Sequence, residues 1–389
     1  MGAIEHLKTL CCLGLKPESA MIAVVPLLHE IIPHGWSRLG LIAPDAAITS
    51  YYCEIPETEA VYRERVWRFM DDPSALAYLW YSLVDNVAIG WTLHRQVKAN
   101  YLGTGYYREI ESPFDAGWML DAMIGDGGKT IGFVHLTRPR SARPFTSDDV
   151  QRLDRLRPWL AHALRRTASD DAPQDDEILT NTSGRIIRSG QLIATADARL
   201  VHQTASVEFL LRILSGGPTV SMRNVPMPAY DELPAPILKL LHRIIGAAKG
   251  ASNTPPRAQI STDYGLVTLE AQWLLPVGTL PEDAAKDPKS CLISVMIELR
   301  EHAIAHAARI LRESGASPQQ TRVGILLAMG KTKPIIADEL GLKSSSVDDH
   351  AKKLYQTLDV HNAAALAKTV WTDQKPERPL QIFRLSGKA

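Results

Sequence analysis

Residues 321–371, TRVGILLAMGKTKPIIADELGLKSSSVDDHAKKLYQTLDVHNAAALAKTVW, decide how the C-terminal part of this chain folds. Ile336, Ala337 and Leu340 form a short apolar stripe at helical spacing, and Gly341 stands where a helix needs a residue of positive φ to end. Ser344 to Ser346 are placed to cap a following helix that reaches Leu358. Its apolar set, Val347, Ala351, Leu354 and Leu358, follows the spacing i, i+4, i+7, i+11. That set packs one face and leaves Ser345, Asp348, Asp349, Lys352, Lys353 and Gln356 outward. A helix, a short turn containing Gly and a second, polar-faced helix make a helix-turn-helix pattern, whose second helix enters a DNA groove.

The same run resembles the C-terminal DNA-binding domain of the LuxR/GerE transcription regulators. The matching residues are Ser317-Pro318, Thr321-Arg322-Val323, Ala328, Gly330, Ile336-Ala337, Leu340-Gly341-Leu342, Ser346-Val347, His350, Leu354, Leu358 and Val360, with no gap needed. A generic three-helix bundle leaves the Val-x-x-His spacing unexplained. The resemblance implies a double-stranded DNA operator as partner, contacted from Ser344, Ser345, Ser346, Asp348, Asp349, His350, Lys352 and Lys353. It implies a homodimer through the last helix, whose Ala363, Ala364, Ala365, Leu366 and Val370 suit close packing. RNA polymerase is a candidate further partner.

The departures from the family bear on affinity. Ile335 stands where a Glu usually completes the capping box begun by Thr332, and Pro334 occupies the first turn. Basic residues usual near Thr357 and Ala363 are missing. Lys331, Lys333, Lys343, Lys352, Lys353 and Lys368 are opposed by Asp338, Glu339, Asp348, Asp349 and Asp359. Phosphate neutralisation supplies most non-specific affinity. Modest, salt-sensitive binding that tightens on dimerisation is the expectation.

The whole chain has 389 residues and a formal net charge of +0, so no global basic field draws it to nucleic acid. Its apolar share of 45% and charged share of 22% are those of a globular protein. Cys11, Cys12, Cys53 and Cys291 show no metal-ligand spacing and suit reduced thiols in a cytoplasm. The N-terminus reads as an amphipathic helix rather than a signal peptide, and no stretch is long and apolar enough to span a membrane.

Ser169 to Glu177 is acidic, contains Pro and reads as a linker. Before it, strand-like runs occur at Leu39–Ala43, Ile48–Cys53 and Ile131–Leu136, with Gly127-Gly128 as a hairpin turn. Pro144 to Asp149 is a loop plus N-cap, and Val150, Leu153, Leu156, Leu160 and Leu164 then mark a helix. The order of strand, loop and closing helix over 115–166 resembles a GAF-type sensor domain. Later, Leu192–Thr195, Leu200-Val201, Gly265–Ala271 and Cys291–Ile297 read as strands, with helices over Ser206–Leu214 and Leu233–Ala248. This region resembles a PAS-like fold. Glu298 to Ser314 reads as helical. No internal repeat is visible, though the two sensor-like regions can share architecture without sharing sequence.

The expected fold is therefore α+β sensor domains, GAF-like then PAS-like antiparallel sheets with helices, followed by an all-α helix-turn-helix domain. The expected bounds are 1–168 for the GAF-like domain, 169–177 for the linker and 178–300 for the PAS-like domain. A connecting helix over 301–316, the DNA-binding domain over 317–372 and a tail over 373–389 complete the chain.

Aromatic residues concentrate between Trp36 and Trp159, as the wall of a small-molecule pocket requires. The expected site holds a small apolar or aromatic effector between Trp67, Trp80, Tyr81, Trp91 and Trp118. Arg68, His94 or Arg95 would pair with an acidic group. A core that happens to use large residues is the competing explanation. Nucleophile, zincin and phosphate-loop motifs are absent, so no enzyme, catalytic residue or cofactor is expected. His302 and His306 lie four apart, but with no third ligand they read as a solvated helix face, and no metal is expected. The reading is a cytoplasmic, effector-controlled transcription regulator. The competing reading is an interaction or titration protein whose degenerate helix-turn-helix serves dimerisation.

Overall fold

Gly127 and Gly128 have φ of +55° and +80°, the paired left-handed turn of a tight hairpin. They join β4 (Trp118–Asp126) to β5 (Lys129–Arg138). The structure, a computed structural model, describes residues 2–43, 48–69, 89–90, 101–165, 184–216, 233–250, 255–275 and 291–372; at 63, 66, 67, 89 and 90 it describes backbone alone. With β1 (Trp36–Ile42), β2 (Ile48–Cys53) and β3 (Ile89–Gly90), the hairpin forms an antiparallel sheet ordered β2-β1-β5-β4-β3.

Period-two alternation divides this sheet into two faces of different chemistry. Leu39, Leu41, Leu120, Ala122, Ile124, Val134 and Leu136 are buried in one apolar cluster with residues of helices Ala3–Cys11, Pro17–Ile31 and Ser147–Leu164. The last helix starts as its sequence predicts, with Thr146 and Asp149 closing a capping box. The opposite face carries Trp36, Tyr51, Cys53 and Met119, which form a second cluster with Tyr62, Tyr101, Tyr106 and Tyr107.

A second antiparallel sheet holds β6 (Ile186–Thr195), β7 (Leu200–Gln203), β8 (Arg257–Thr262), β9 (Gly265–Leu274) and β10 (Leu292–Arg300). Its order is β7-β6-β10-β9-β8. Counted from its own first strand, each sheet therefore runs 2-1-5-4-3, with its first and last strands side by side in the middle. Helices Ala205–Ser215 and Ala235–Ala248 lie between β7 and β8 in the chain and bury Val207, Phe209, Leu210, Ile237, Leu240 and Ile244. The fold is mixed α+β with two antiparallel sheets.

Residues Met1–Thr180 and Ile186–Ala305 form one compact unit. The two sheets share a hydrophobic cluster and specific polar ties. Arg188 on β6 reaches Glu59 at 2.7 Å and donates to the Cys53 carbonyl. Lys16 meets Asp263 at 2.7 Å, and Ser19 Oγ donates to the Asp263 carbonyl at 2.6 Å. The expected linker at Ser169–Glu177 and the tail after Thr372 lie outside the described residues.

Asn181–Arg185 and His306–Ala389 form the second unit. Its helices are Pro318–Ala328, Lys333–Leu340, Ser344–Leu358 and Ala363–Trp371, joined by the C-terminal part of Ala303–Glu313. Val323, Ile325, Ile336, Val347, Leu354, Leu366 and Val370 are buried. Gly324 is where a side chain would not fit: a Cβ there would lie 3.0 Å from Leu311 and 3.1 Å from Leu354.

Several expectations change. The Glu298–Ser314 helix starts only at Ala303, because residues 298–300 still pair within β10. His302 and His306 are buried, 5% and 0% exposed, and are not a solvated face. Among the described residues no helix is long and apolar enough to cross a membrane.

Candidate functional site

The first candidate is the outward face of helix Ser344–Leu358. Helices Pro318–Ala328 and Lys333–Leu340 pack against it and position it. Helix Lys333–Leu340 ends at Gly341, whose φ of +62° is the left-handed cap that the sequence predicts. Asp359 then ends Ser344–Leu358 in the same way, at φ 52°. Val347, Ala351 and Leu354 are buried and Leu358 is half-buried. Ser344, Ser345, Asp348, Asp349, Lys352 and Lys353 are exposed, while Ser346 and His350 are half-buried. The expected surface is thus formed as one face.

The serines do not cap it. The N-cap position falls on Lys343 with no side-chain cap, and Ser344 to Ser346 occupy the first turn. Three hydroxyls therefore sit at the positive end of the helix dipole, where phosphate oxygens are favoured, although the Ser346 N–H already donates to the Lys343 carbonyl at 2.9 Å. Thr332 likewise makes no side-chain cap to its helix, in keeping with the broken capping box read from Ile335.

The electrostatics of this face are divided. Lys333 binds Asp348 at 2.5 Å and Lys331 binds Glu339 at 2.6 Å. The hydrogen bond to Asp348 raises the Lys333 pKa. Lys343, Lys352 and Lys353 have no ion pair among the described residues. A groove of about 460 Å³ lies alongside, lined by Lys333, Asp348, Lys352, Tyr355, Gln356 and His361 among others.

The last helix does not present the dimer face that the sequence suggests. Leu366 and Val370 are each 0% exposed inside their own unit. Trp371 Nε1 donates to the Ala328 carbonyl at 3.0 Å, holding this helix to Pro318–Ala328. Ala364 and Lys368 remain exposed, and Ala363 and Ala365 are half-buried.

The second candidate is a buried polar array on the first sheet. Strand register sets Cys53, Arg38, His135 and Asp121 abreast across β2, β1, β5 and β4. Arg38 binds Glu111 at 2.5 Å and the His135 Nε2 at 2.8 Å, and His135 Nδ1 pairs with Asp121. Glu111 arrives from a π-helical turn, Tyr107–Glu111, and also accepts from Tyr106 at 3.4 Å. The Arg38 guanidinium lies 4.9 Å from the Trp36 ring centre and 5.0 Å from that of Tyr62, a cation–π setting. Tyr62 and Tyr106 hydroxyls bond each other.

Burial alone would discharge this pair. It opposes the Arg38 cation, but Glu111 and the surrounding phenols outweigh it and raise the pKa. Burial likewise pushes Glu111 up, yet Arg38 and His135 hold it below the usual carboxylate range. Tyr51 and Tyr106 are pushed well up by burial and keep their protons. Arg38 Nε, Tyr51 Oη and Glu111 Oε2 are buried with no hydrogen-bond partner among the described residues. Each such group costs about 1–3 kcal/mol. They are a donor, an acceptor and a hydroxyl, all on the aromatic side of the sheet.

Of the effector residues read from sequence, the structure describes the side chains of Trp118 and Arg68. Trp118 is on the opposite face of β4, packed against the apolar cluster, with its Nε1 donating to the Ala142 carbonyl at 2.8 Å. Arg68 is exposed at the surface, 3.9 Å from Glu109. Trp80, Tyr81, Trp91, His94 and Arg95, and the Trp67 side chain, lie outside the described residues. The array has its own signal in the sequence. Arg38 sits between Trp36 and Gly40, and His135 between Phe133 and Thr137, at inward positions of alternating strands. A charged residue at such a position marks a polar site.

Cys11 is no reactive thiol, since burial foremost and Cys12 second push its pKa up to about 12. No protein-family model matches the chain, and no curated protein matches it.

Proposed function

We propose that the chain is a DNA-binding transcription regulator whose C-terminal unit is a LuxR-type helix-turn-helix. Its two sheets would be GAF-like and PAS-like sensor modules, and a small molecule held in the first would control it. The observation that carries the DNA-binding reading is the exposed face Ser344–Lys353 on a helix whose other side is the unit's core. The shared 2-1-5-4-3 strand order supports the pairing of sensor modules. The three unpartnered groups of Arg38, Tyr51 and Glu111 support an effector site on the aromatic face of the first sheet. Its occupant has an aromatic or apolar body and both a hydrogen-bond donor and an acceptor. It must prefer one of two states of the protein, or it shifts nothing.

Fluorescence anisotropy with operator DNA, selected from random sequence by the full chain, tests the DNA face. Lys352→Ala lowers affinity by about 1–3 kcal/mol if the side chain meets a base, and Lys368→Ala has a smaller effect. Equal affinity for the Lys352 variant and the parent removes the placement of the helix.

One observation favours a second reading. Asp348, at the centre of the candidate base-reading face, is held by Lys333 of the same unit. A nearly neutral, self-paired face suits an interaction or titration protein better than a tight operator binder. Failure of random-sequence selection to enrich any DNA, with a stable protein partner recovered by the same unit, would favour that reading.

A further inference from the structure

Outside both sites, His29, His34 and Glu54 converge where helix Pro17–Ile31 meets the first sheet. His29 lies in the last turn of that helix, His34 in the turn leading to β1, and Glu54 just after β2. One donor atom from each residue lies within 4.8 Å of the other two. His29 Nε2 is 2.9 and 3.0 Å from the two Glu54 oxygens, and His34 Nε2 is 4.0 Å from Glu54 Oε2.

The donors are oriented from outside. His34 Nδ1 lies 2.6 Å from the Ile32 carbonyl oxygen, which can only accept, so Nδ1 carries the proton. His34 Nε2 therefore presents a lone pair. That atom is buried, has no hydrogen-bond partner among the described residues, and belongs to a side chain with 0% exposure. Glu54 Oε2 accepts from the Ser37 N–H at 2.6 Å and the Ser37 hydroxyl at 2.8 Å. The two imidazoles stack with centres 3.7 Å apart and planes 11° from parallel. A carbonyl holding the far nitrogen of one imidazole and hydroxyl and amide donors holding the carboxylate are the outer contacts that metal ligands need.

We propose that His29, His34 and Glu54 form a binding site for a divalent transition-metal ion of the zinc type. Two imidazoles and one carboxylate are a zinc donor set, and nitrogen donors disfavour magnesium and calcium. With bonds of about 2.0–2.2 Å, tetrahedral donors stand roughly 3.3 Å apart. The present separations bracket that value, but the rings now stack nearly parallel, so the ion enters by displacing the proton between His29 and Glu54 while the His29 ring rotates out of the stack to aim its lone pair at the site. The fourth position is left to water or an outside ligand. The nearby cation does not compete strongly, because Arg138 is paired with Asp149 at 3.2 Å. The ion would tie the end of one helix to two strands, one residue from Cys53, whose carbonyl receives Arg188 from the second sheet.

The test uses the full chain, stripped with chelator and titrated with Co2+, then with Zn2+ in competition. Binding of one equivalent, with the intense visible bands of low-coordinate Co2+ and a rise in melting temperature, is expected. Glu54→Gln and His34→Ala should each weaken binding at least about tenfold, while His202→Ala, a change at an exposed histidine, leaves it intact. Circular dichroism melts of the metal-free variants show whether they fold, and Glu54→Gln preserves shape if His34→Ala does not. Absence of binding to the parent, or equal binding by Glu54→Gln and parent, overturns the site.

Discussion

Removing Arg38 is the sharpest probe of the buried array. In Arg38→Met the Glu111 carboxylate, 2% exposed, loses its ionic partner and keeps the Tyr106 hydroxyl at 3.4 Å. Breaking a buried pair by deleting one member typically costs about 3–5 kcal/mol, because a charge is left buried alone. The double variant Arg38→Met/Glu111→Gln removes that charge and should recover most of the loss. The pH dependence has a definite sign. In the parent, Glu111 sits below the ordinary range because Arg38 and His135 overcome burial. Without Arg38, burial dominates and the folded pKa rises above the unfolded value of about 4.3. The folded variant then holds a proton that the unfolded chain has lost, so its stability falls as pH rises from about 4 to 7. Urea midpoints for parent, single and double variants at pH 5 and pH 7 measure this. A single variant within about 1 kcal/mol of the parent at pH 7, or a deficit that shrinks with rising pH, would refute the ion-pair account. Ligand recovered with the parent should be lost from the double variant although it folds.

His302 is held down to about 4 by burial foremost and by Lys16, so stability is flat above about pH 6.5 and falls towards pH 4, by up to about 3 kcal/mol; His302→Asn should flatten a series of urea midpoints over that range. Leu366→Glu should unfold the C-terminal unit, because that side chain is 0% exposed, whereas Ala364→Glu leaves it folded and, if this helix carries a dimer contact, lowers the mass seen by light scattering. Unchanged folding of the Leu366 variant would contradict its placement. Asp349→Asn keeps shape and loses a carboxylate able to accept from cytosine N4, so selection on random DNA should return a motif altered at one or two base pairs. Identical motifs would mean that Asp349 does not face the bases.

How far the sequence reveals this molecule depends on how local the determining physics is. Helix Lys333–Leu340, its Gly341 stop and the buried set Val347, Ala351 and Leu354 were all legible, because spacing and a left-handed cap are properties of adjacent residues. The hairpin at Gly127-Gly128 and the Thr146 cap were legible for the same reason. The extended run Ile48–Cys53 was legible from its own residues too. What failed was non-local. Leu366 and Val370 look alike as dimer face or as core; only the position of Pro318–Ala328 decides, and it makes them core. Which face of the sheet Trp118 takes, opposite to Met119, likewise follows only from strand pairing. The polar array joins Arg38 to Glu111 over 73 positions and to His135 over 97, so a window of sequence can mark Arg38 or His135 as out of pattern but not pair them. The same holds for the equal order of the two sheets, which rests on pairing the first and last strand of each. Their sequences need share only alternation and turns, and alternation is too common a pattern to reveal a repeat. The residues that carry specific chemistry here are those for which long-range pairing and local pattern disagree: a charged Arg38 at an inward strand position is locally unfavourable. It is stable only because Glu111 and His135 reach it from elsewhere in the chain.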